Sequence, residues 1–561
     1  MKNILKTNLV LILVAIITGL IVSIIAQAFI ITAKNVFAYL YTSPLVINIF
    51  TLKLNILPLL ACCFAAILIS IIIKIYNVKR WHGPADSIYA ANQRGGVLDI
   101  KMGLLSTLAS FFSISGGASV GIYGPLVHFG ATVGIFLRRL TFMPNIPHDI
   151  IIGSGVAAAI SAGFGAPIAG IIFAHEVILR HFSLKAISSI AICSFTAKIS
   201  ATQMDLVPPF FNFDEINFVF LESLPGLFII GPLSAIVALL FMNSLLNIAK
   251  FSGNINLKSY QKPFIPAILC GIIGMFLPEV LGLGVNTISN VILNPNLISF
   301  LFIILVAKLL LTSICIGFGM FGGVFSPSLF LGAMVGGIIF NIPIFEFSSS
   351  MLSVFAIAGM AAVSSSVIGA PITVIILVLE LTGSYKYAIT SILPICLSNL
   401  ITLIFFGSSF FDKQLLLRGI NMSLGREHIV MSEIKIKDYL SHNYLKFEKD
   451  ETIKNILIKF KRYQTTEGYF VDKNNFFQGK IRLIDIIDKN KNKGFPFRQK
   501  KFIKLDDKDN LIDSINILSN FVGENVPIID NNGNFLGVVS EGDVLKLYTE
   551  ITKEIKSIEK S

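Results

Sequence analysis

The chain is expected to fold as an all-α, polytopic membrane domain built from two copies of one unit, followed by a small α/β tail. Three observations carry this expectation. Of 561 residues, 54% are hydrophobic and 14% charged, and the mean hydropathy is +0.77, beyond what a soluble chain of this length carries. Apolar residues gather in long runs between Asn8 and Phe406, where one block of motifs recurs at a near-constant offset. Beyond Gly425-Arg426-Glu427-His428 the composition turns polar and lysine-rich.

The runs Leu9–Ile31, Ile56–Ile73, Leu224–Leu246, Phe300–Ile316 and Ile389–Phe406 are membrane spans. Each can cross a hydrocarbon core of about 30 Å at about 1.5 Å per residue, the shortest with some tilt or local thinning. Ile168–Leu179 and Pro327–Phe340 are too short or too glycine-rich for a simple span. Mixed full and partial helices mark channels and transporters. Lys2, Lys6 and Ala26-Gln27-Ala28 resemble a signal peptide, but the apolar run continues through Phe29-Ile30-Ile31, so it is read as a retained helix. The net charge of +12 sits in loops, as at Lys74, Lys79 and Arg80, which is membrane topology and not nucleic-acid binding. The six cysteines lie in apolar segments without metal spacing and are read as small buried hydrophobes. With no catalytic triad, metal cluster or P-loop, no enzyme activity, metal or required cofactor is expected.

Gly155-Val156-Ala157-Ala158, Gly165-Ala166-Pro167-Ile168 and Glu176 recur 204 residues later as Gly359-Met360-Ala361-Ala362, Gly369-Ala370-Pro371-Ile372 and Glu380. Pro125, Gly130, Ala131, Val133 and Gly134 recur 202 residues later as Pro327, Gly332, Ala333, Val335 and Gly336. Two halves, 8–205 and 220–406, are therefore expected to pack about a pseudo-twofold axis, in inverted sense. In the first half, Ser115-Gly116-Gly117-Ala118-Ser119-Val120-Gly121-Ile122-Tyr123-Gly124-Pro125 combines backbone freedom with a proline suited to a helix start. Exposed amides capping a helix N-terminus form an anion site made of backbone alone. The Gly124-Pro125 and Ser326-Pro327 ends are expected to face one ion near the bilayer midplane, with Tyr123 at the mouth. Glu176 and Glu380 hold equivalent places in the two halves. That favours a helix-end role for Glu176 over a proton relay.

Four motifs together resemble the CLC family of chloride channels and proton-coupled chloride antiporters over residues 8–420. They are Gly121-Ile122-Tyr123-Gly124-Pro125; Gly322-Gly323-Val324-Phe325-Ser326-Pro327; Gly369-Ala370-Pro371-Ile372-Thr373 with Glu380-Leu381-Thr382-Gly383; and Arg418-Gly419-Ile420. The resemblance implies an inverted-repeat helical homodimer, embedded in lipid, with a separate pathway for chloride or similar small inorganic anions in each subunit. The membrane domain is placed at 1–428. Val526–Asp530, the turn Asn531-Asn532-Gly533 and Phe535–Asp543 read as strand, turn, strand and helix start, and Gly468–Asp472 with Gly479–Asp485 forms a similar unit. Two such units resemble a CBS pair, 429–496 and 497–561, joined by the solvated linker Lys489–Gly494 and lying on the cytoplasmic side of the cell (inner) membrane. In nucleotide-binding CBS pairs an Asp holds a ribose, with a Ser or Thr three residues before it. Asp543 with Ser540 matches, and Asp485, preceded by Arg482, matches less well, so these three are the candidates for an adenine nucleotide. Many such pairs bind nothing and brace the dimer.

The departures from the family pattern bear on mechanism. Tyr123 stands at the gate position, where the family usually has a glutamate. A phenol that titrates near about 10 neither mimics an anion nor shuttles protons at neutral pH. The family's second proton glutamate falls on Val177, beside Glu176. Phe411 takes the place of a tyrosine whose hydroxyl meets the anion, and His82 and Gly83 stand in an altered selectivity motif. The amides of Gly121, Ile122, Tyr123 and Gly124, before Pro125, and those of Gly323, Val324 and Phe325 remain to coordinate an anion. Passive conduction is the expectation. The alternatives are an antiporter coupling through His175, Glu176 or Tyr123, and a non-conducting regulator that senses a ligand through its CBS pair.

Overall fold

The structure, a computed structural model, describes residues 2–42, 45–49, 52–140, 147–204, 220–342, 347–448, 451–488, 502–521 and 523–560. They form two compact units, Met1–Ile420 and Asn421–Ser561. The division falls earlier than the expected 428/429. Val430 and Met431 of the helix Gly425–Glu433 are buried with Ile436, Leu505 and Val526 in the core of the second unit.

In the first unit, seven helices among the described residues are long and apolar enough to cross a membrane. The N-terminal run is one continuous helix, Lys2–Thr42. It is packed into the domain: the Ser23 hydroxyl donates to the Ala197 carbonyl at 2.9 Å, and the Gln27 amide donates to the carbonyl of Ala162. Both are donors that find acceptors in an apolar interior, as a retained helix requires.

The repeated motifs fold alike. The helix Tyr123–Leu140 crosses His148–Phe164 with Gly130 against Gly155, and a methyl added to Gly130 would lie 2.1 Å from the Gly155 carbonyl oxygen. In the second half Phe325–Phe340 crosses Met351–Ile368, and the same addition at Gly332 would lie 2.2 Å from the Gly359 oxygen. Small residues let these backbones touch. Gly165 and Gly369, each with φ 70°, end the second helix of each pair in the left-handed region. Pro167 and Pro371 then open the next helices, Pro167–Phe173 and Pro371–Thr382, two residues later.

The halves exchange contacts reciprocally. The Gly121 amide donates to the Gly323 carbonyl at 2.8 Å, and the Gly323 amide returns a bond to Gly121 at 2.6 Å, an antiparallel bridge. Glu380 accepts from the amides of Ile168 and Ala169 at 2.9 and 2.7 Å, at the start of the Pro167 helix. Glu176 accepts from the amides of Ile372 and Thr373 at 3.0 and 2.8 Å, and from the Thr373 hydroxyl at 2.6 Å. Glu176 reaches this position from a wide π-helical turn, Ala174–Leu179, that continues the Pro167 helix. Such mutual exchange is the signature of a twofold axis, and the fold is the inverted repeat expected from the motifs.

The second unit is itself doubled. Leu445–Phe447, Glu467–Val471 and Phe477–Arg482 form one three-stranded sheet, and Leu505–Asp506, Asn525–Ile529 and Phe535–Ser540 form another. In each, the first pairing is parallel and the second antiparallel. Tyr469 of one sheet stacks on Phe535 of the other, ring centroids 5.3 Å apart. The buried Lys480 ammonium bridges the Glu467 carboxylate at 2.7 Å and the Asn525 carbonyl at 2.8 Å, tying the two together. Burial pulls the Lys480 amine below its ordinary range, with Glu467 opposing that shift. The linker Lys489–Gly494 and the expected 496/497 division lie outside the described residues.

Replacing Glu176 or Glu380 by alanine strips a part-buried helix start of its acceptors. Each change is expected to cost about 1–3 kcal/mol, seen as a lower thermal unfolding midpoint of the detergent-solubilised protein. Lys480→Met leaves Glu467 buried and unpaired and is expected to destabilise the tail by about 3–5 kcal/mol. Hydrogen exchange across 467–482 and 525–540 in the full chain checks this.

Candidate functional site

Two helix N-termini meet at the Gly121–Gly323 bridge. Tyr123 and Phe325 are equivalent first residues of the two helices, and Gly124 and Ser326 equivalent second ones. Among the described residues, no protein acceptor meets the amides of Ile122, Gly124, Val324, Phe325 and Ser326. The first amides of a helix have no partner within it, and here they are buried. The Ser326 hydroxyl is also buried without a hydrogen-bond partner. The pair of ends thus offers partial positive charge with no cation among its residues, suited to holding an anion without trapping it.

Two small cavities adjoin these ends. One, of about 60 Å³, lies against Gly124, Gly322, Gly323 and Val324, with Gly83 and Arg418 on its other sides. The other, of about 30 Å³, is walled by Tyr123, Phe164, Phe173, Phe325 and Leu377. Pro84, Gly124 and Phe411 border both and form the neck between them. At the mouth of the first cavity, Asp86 sits 2.7 Å from Arg80 and 2.9 Å from Arg418 and accepts the Gly83 amide at 2.9 Å. One carboxylate between two guanidiniums leaves the mouth positive, which draws anions in. It also pins the Gly83-Pro84 turn.

The Tyr123 ring lies in the second cavity, stacked on Phe164 at 3.5 Å between centroids and 18° between planes. Phe325 stands edge-on to Phe164, at 5.3 Å and 87°. The Tyr123 side chain therefore does not border the cavity lined by the helix ends. Gly83, Gly124, Gly323, Val324 and Phe411 do border it, whereas Gly121 is spent in the bridge and Ile122 is buried beside it. His82, expected as an anion contact, differs: its ring faces His128 at 6.0 Å, and its amide donates to the Ser106 hydroxyl. The shortened turn before Pro84 presents Trp81 and Gly83 to the cavity instead. Val177 is buried, and Glu176 is committed as a helix cap. In the tail, Ser540 and Asp543 bond each other in a cap at the start of the last helix, with the hydroxyl donating to the carboxylate at 2.7 Å. The Asp485 side chain lies outside the described residues.

Three features escaped sequence reasoning. Phe164 is far in sequence from both partners. The Asp86–Arg418 pair and Lys308, whose buried ammonium donates to the carbonyls of Val280 and Gly282 at 3.0 and 2.7 Å, carried a signal: charges in apolar surroundings are rarely idle.

The family model for voltage gated chloride channels matches residues 64–403, more than half of the chain. The chain belongs to the CLC family. A CBS-domain model matches residues 497–550. The chain is 30% identical over 325 residues, 54% of its length and 67% of the other's, to the H(+)/Cl(-) exchange transporter ClcA of Vibrio parahaemolyticus. It is 27% identical over 333 residues, 57% of its length and 76% of the other's, to a putative chloride channel protein ClcB-like of Ralstonia nicotianae. Among solved structures, a slow cyanobacterial Cl-/H+ antiporter matches 73% of this chain and 97% of its own, with a TM-score of 0.64 at 21% identity. A CLC-type fluoride/proton antiporter matches 72% and 97%, with a TM-score of 0.61 at 18% identity. A eukaryotic CLC transporter matches 96% and 98%, with a TM-score of 0.63 at 15% identity. These structures support the fold, tail included. The chain is a multi-pass membrane protein of an anion-transporting family, whose members are channels and transporters.

Because the Tyr123 ring lies outside the amide-lined cavity, Tyr123→Ala is expected to change anion efflux from proteoliposomes by less than about twofold. A marked rise would show that the ring swings into the passage.

Proposed function

We propose that this CLC protein conducts chloride or similar small anions passively, as a channel or uncoupled uniporter. The observation that carries this reading is the state of the carboxylates. Tyr123 and Val177 replace the two that would respond to protons, and Glu176, the nearest remaining candidate, gives both oxygens to the start of the opposite half's helix. A carboxylate held by three donors is fixed in place, which suits a brace and not a shuttle. The walls between Tyr123 and the opposite end of its chamber are Phe164, Phe173 and Leu377, with no titratable group to pass a proton on.

Tyr123 stands at the gate position with its ring stacked on Phe164 in the second cavity. The protein is a homodimer in the cell (inner) membrane, with its tail in the cytoplasm. There the CBS pair braces the dimer, and Ser540, Asp543 and Asp485 are its candidate contacts for an adenine nucleotide. Several relatives are named as exchangers, which favours the second reading, coupled antiport through unconventional residues.

In proteoliposomes holding a chloride gradient, chloride efflux is expected without stoichiometric proton movement, recorded together by chloride and pH electrodes. Uphill proton movement driven by the chloride gradient would overturn passive conduction in favour of antiport. Absence of any anion flux would leave the non-conducting regulator.

A further inference from the structure

We infer that the passage favours weakly hydrated anions, such as thiocyanate, iodide and nitrate, over chloride and most strongly over fluoride, and that Phe411 sets this order. The inference rests on the reading of the chain as an anion conduit.

Apart from the open amides of the two helix ends and the buried Ser326 hydroxyl, the donors along the route are few. None of the residues lining the amide-lined cavity carries a hydroxyl. The Trp81 indole N–H is spent on the Gly319 carbonyl at 2.9 Å. The other polar side chains of that cavity, Asp86, Gln414 and Arg418, do not border the neck. At the neck, Pro84 has no N–H, Phe411 presents a ring, and Gly124 offers a single amide. Beyond it, the apolar chamber holds two hydroxyls, on Tyr123 and Thr373, and the second donates to Glu176 at 2.6 Å.

An ion crossing this neck exchanges its water for a few peptide dipoles and the weakly positive edges of aromatic rings. A site rich in strong donors rewards a small ion enough to outrun its dehydration cost. A site of weak field does not, so the cost of shedding water decides, and that cost grows from thiocyanate to fluoride. A hydroxyl at position 411 would add a donor where the two cavities meet and move the balance toward chloride.

Efflux from proteoliposomes, driven by a potassium diffusion potential, is compared for thiocyanate, iodide, nitrate, chloride and fluoride. Thiocyanate and iodide are expected to leave roughly tenfold faster than chloride, equivalent to about 1.4 kcal/mol, with fluoride slowest. Phe411→Tyr is expected to bring the thiocyanate-to-chloride ratio close to one, while Phe411→Leu, which removes the ring without adding a donor, preserves the order. Chloride matching or exceeding thiocyanate and iodide in the unaltered chain would overturn the inference, as would Phe411→Leu shifting the ratio as far as Phe411→Tyr. If no anion moves, passive conduction fails separately. Calorimetric titration of the solubilised chain with the same salts then decides the order: tighter thiocyanate supports it, and equal or tighter chloride overturns it.

Discussion

Four helices begin inside the membrane domain of this protein, near Pro125, Pro167, Pro327 and Pro371, and each exposes amides that lipid cannot satisfy. The two halves solve half of this problem for each other. Glu380 seals the start at Pro167 and Glu176 seals the start at Pro371, so each half is incomplete without its mate. The other two starts are left unsealed. They are held face to face by the two hydrogen bonds between Gly121 and Gly323. The fold therefore divides its broken helices into a pair closed by carboxylates and a pair whose first amides meet no protein acceptor among the described residues.

This division explains why the carboxylates bear on coupling. A glutamate that closes a helix start contributes to stability and has no free oxygen with which to move a proton. Equivalent positions 123 and 325 both carry aromatic rings, and both rings join Phe164 in one apolar chamber. What the two helix ends present is backbone dipoles and ring faces. The fixed charges stand back at the mouth, where Asp86 holds Arg80 and Arg418.

Much of this was legible before any coordinates. Recurrence at offsets of 202 and 204 residues predicted two equivalent halves, because each motif acts locally, with a glycine at a helix crossing, a proline at a helix start and a glutamate at a helix end. The helix-end role of Glu176 followed from that symmetry. The direction of the Tyr123 ring did not. It depends on Phe164, which is 41 residues away in sequence and on another helix. The turn of His82 toward His128 and the pairing of Asp86 with Arg418 were hidden for the same reason. Each is a contact between distant segments that no local pattern encodes.

The amino-acid sequence by itself determined the class, the duplication and the chemistry on offer: apolar runs long enough to span, helix starts punctuated by Gly and Pro, and positions where a titratable side chain is missing. These are properties of composition and short-range backbone preference, which act within a few residues. Tertiary structure alone decided which helix start each glutamate closes, which amides stay open, and on which side of the passage Tyr123 rests. Those outcomes depend on how two half-domains pack across their shared axis, where close approach over long separations chooses one partner among many of equal local merit.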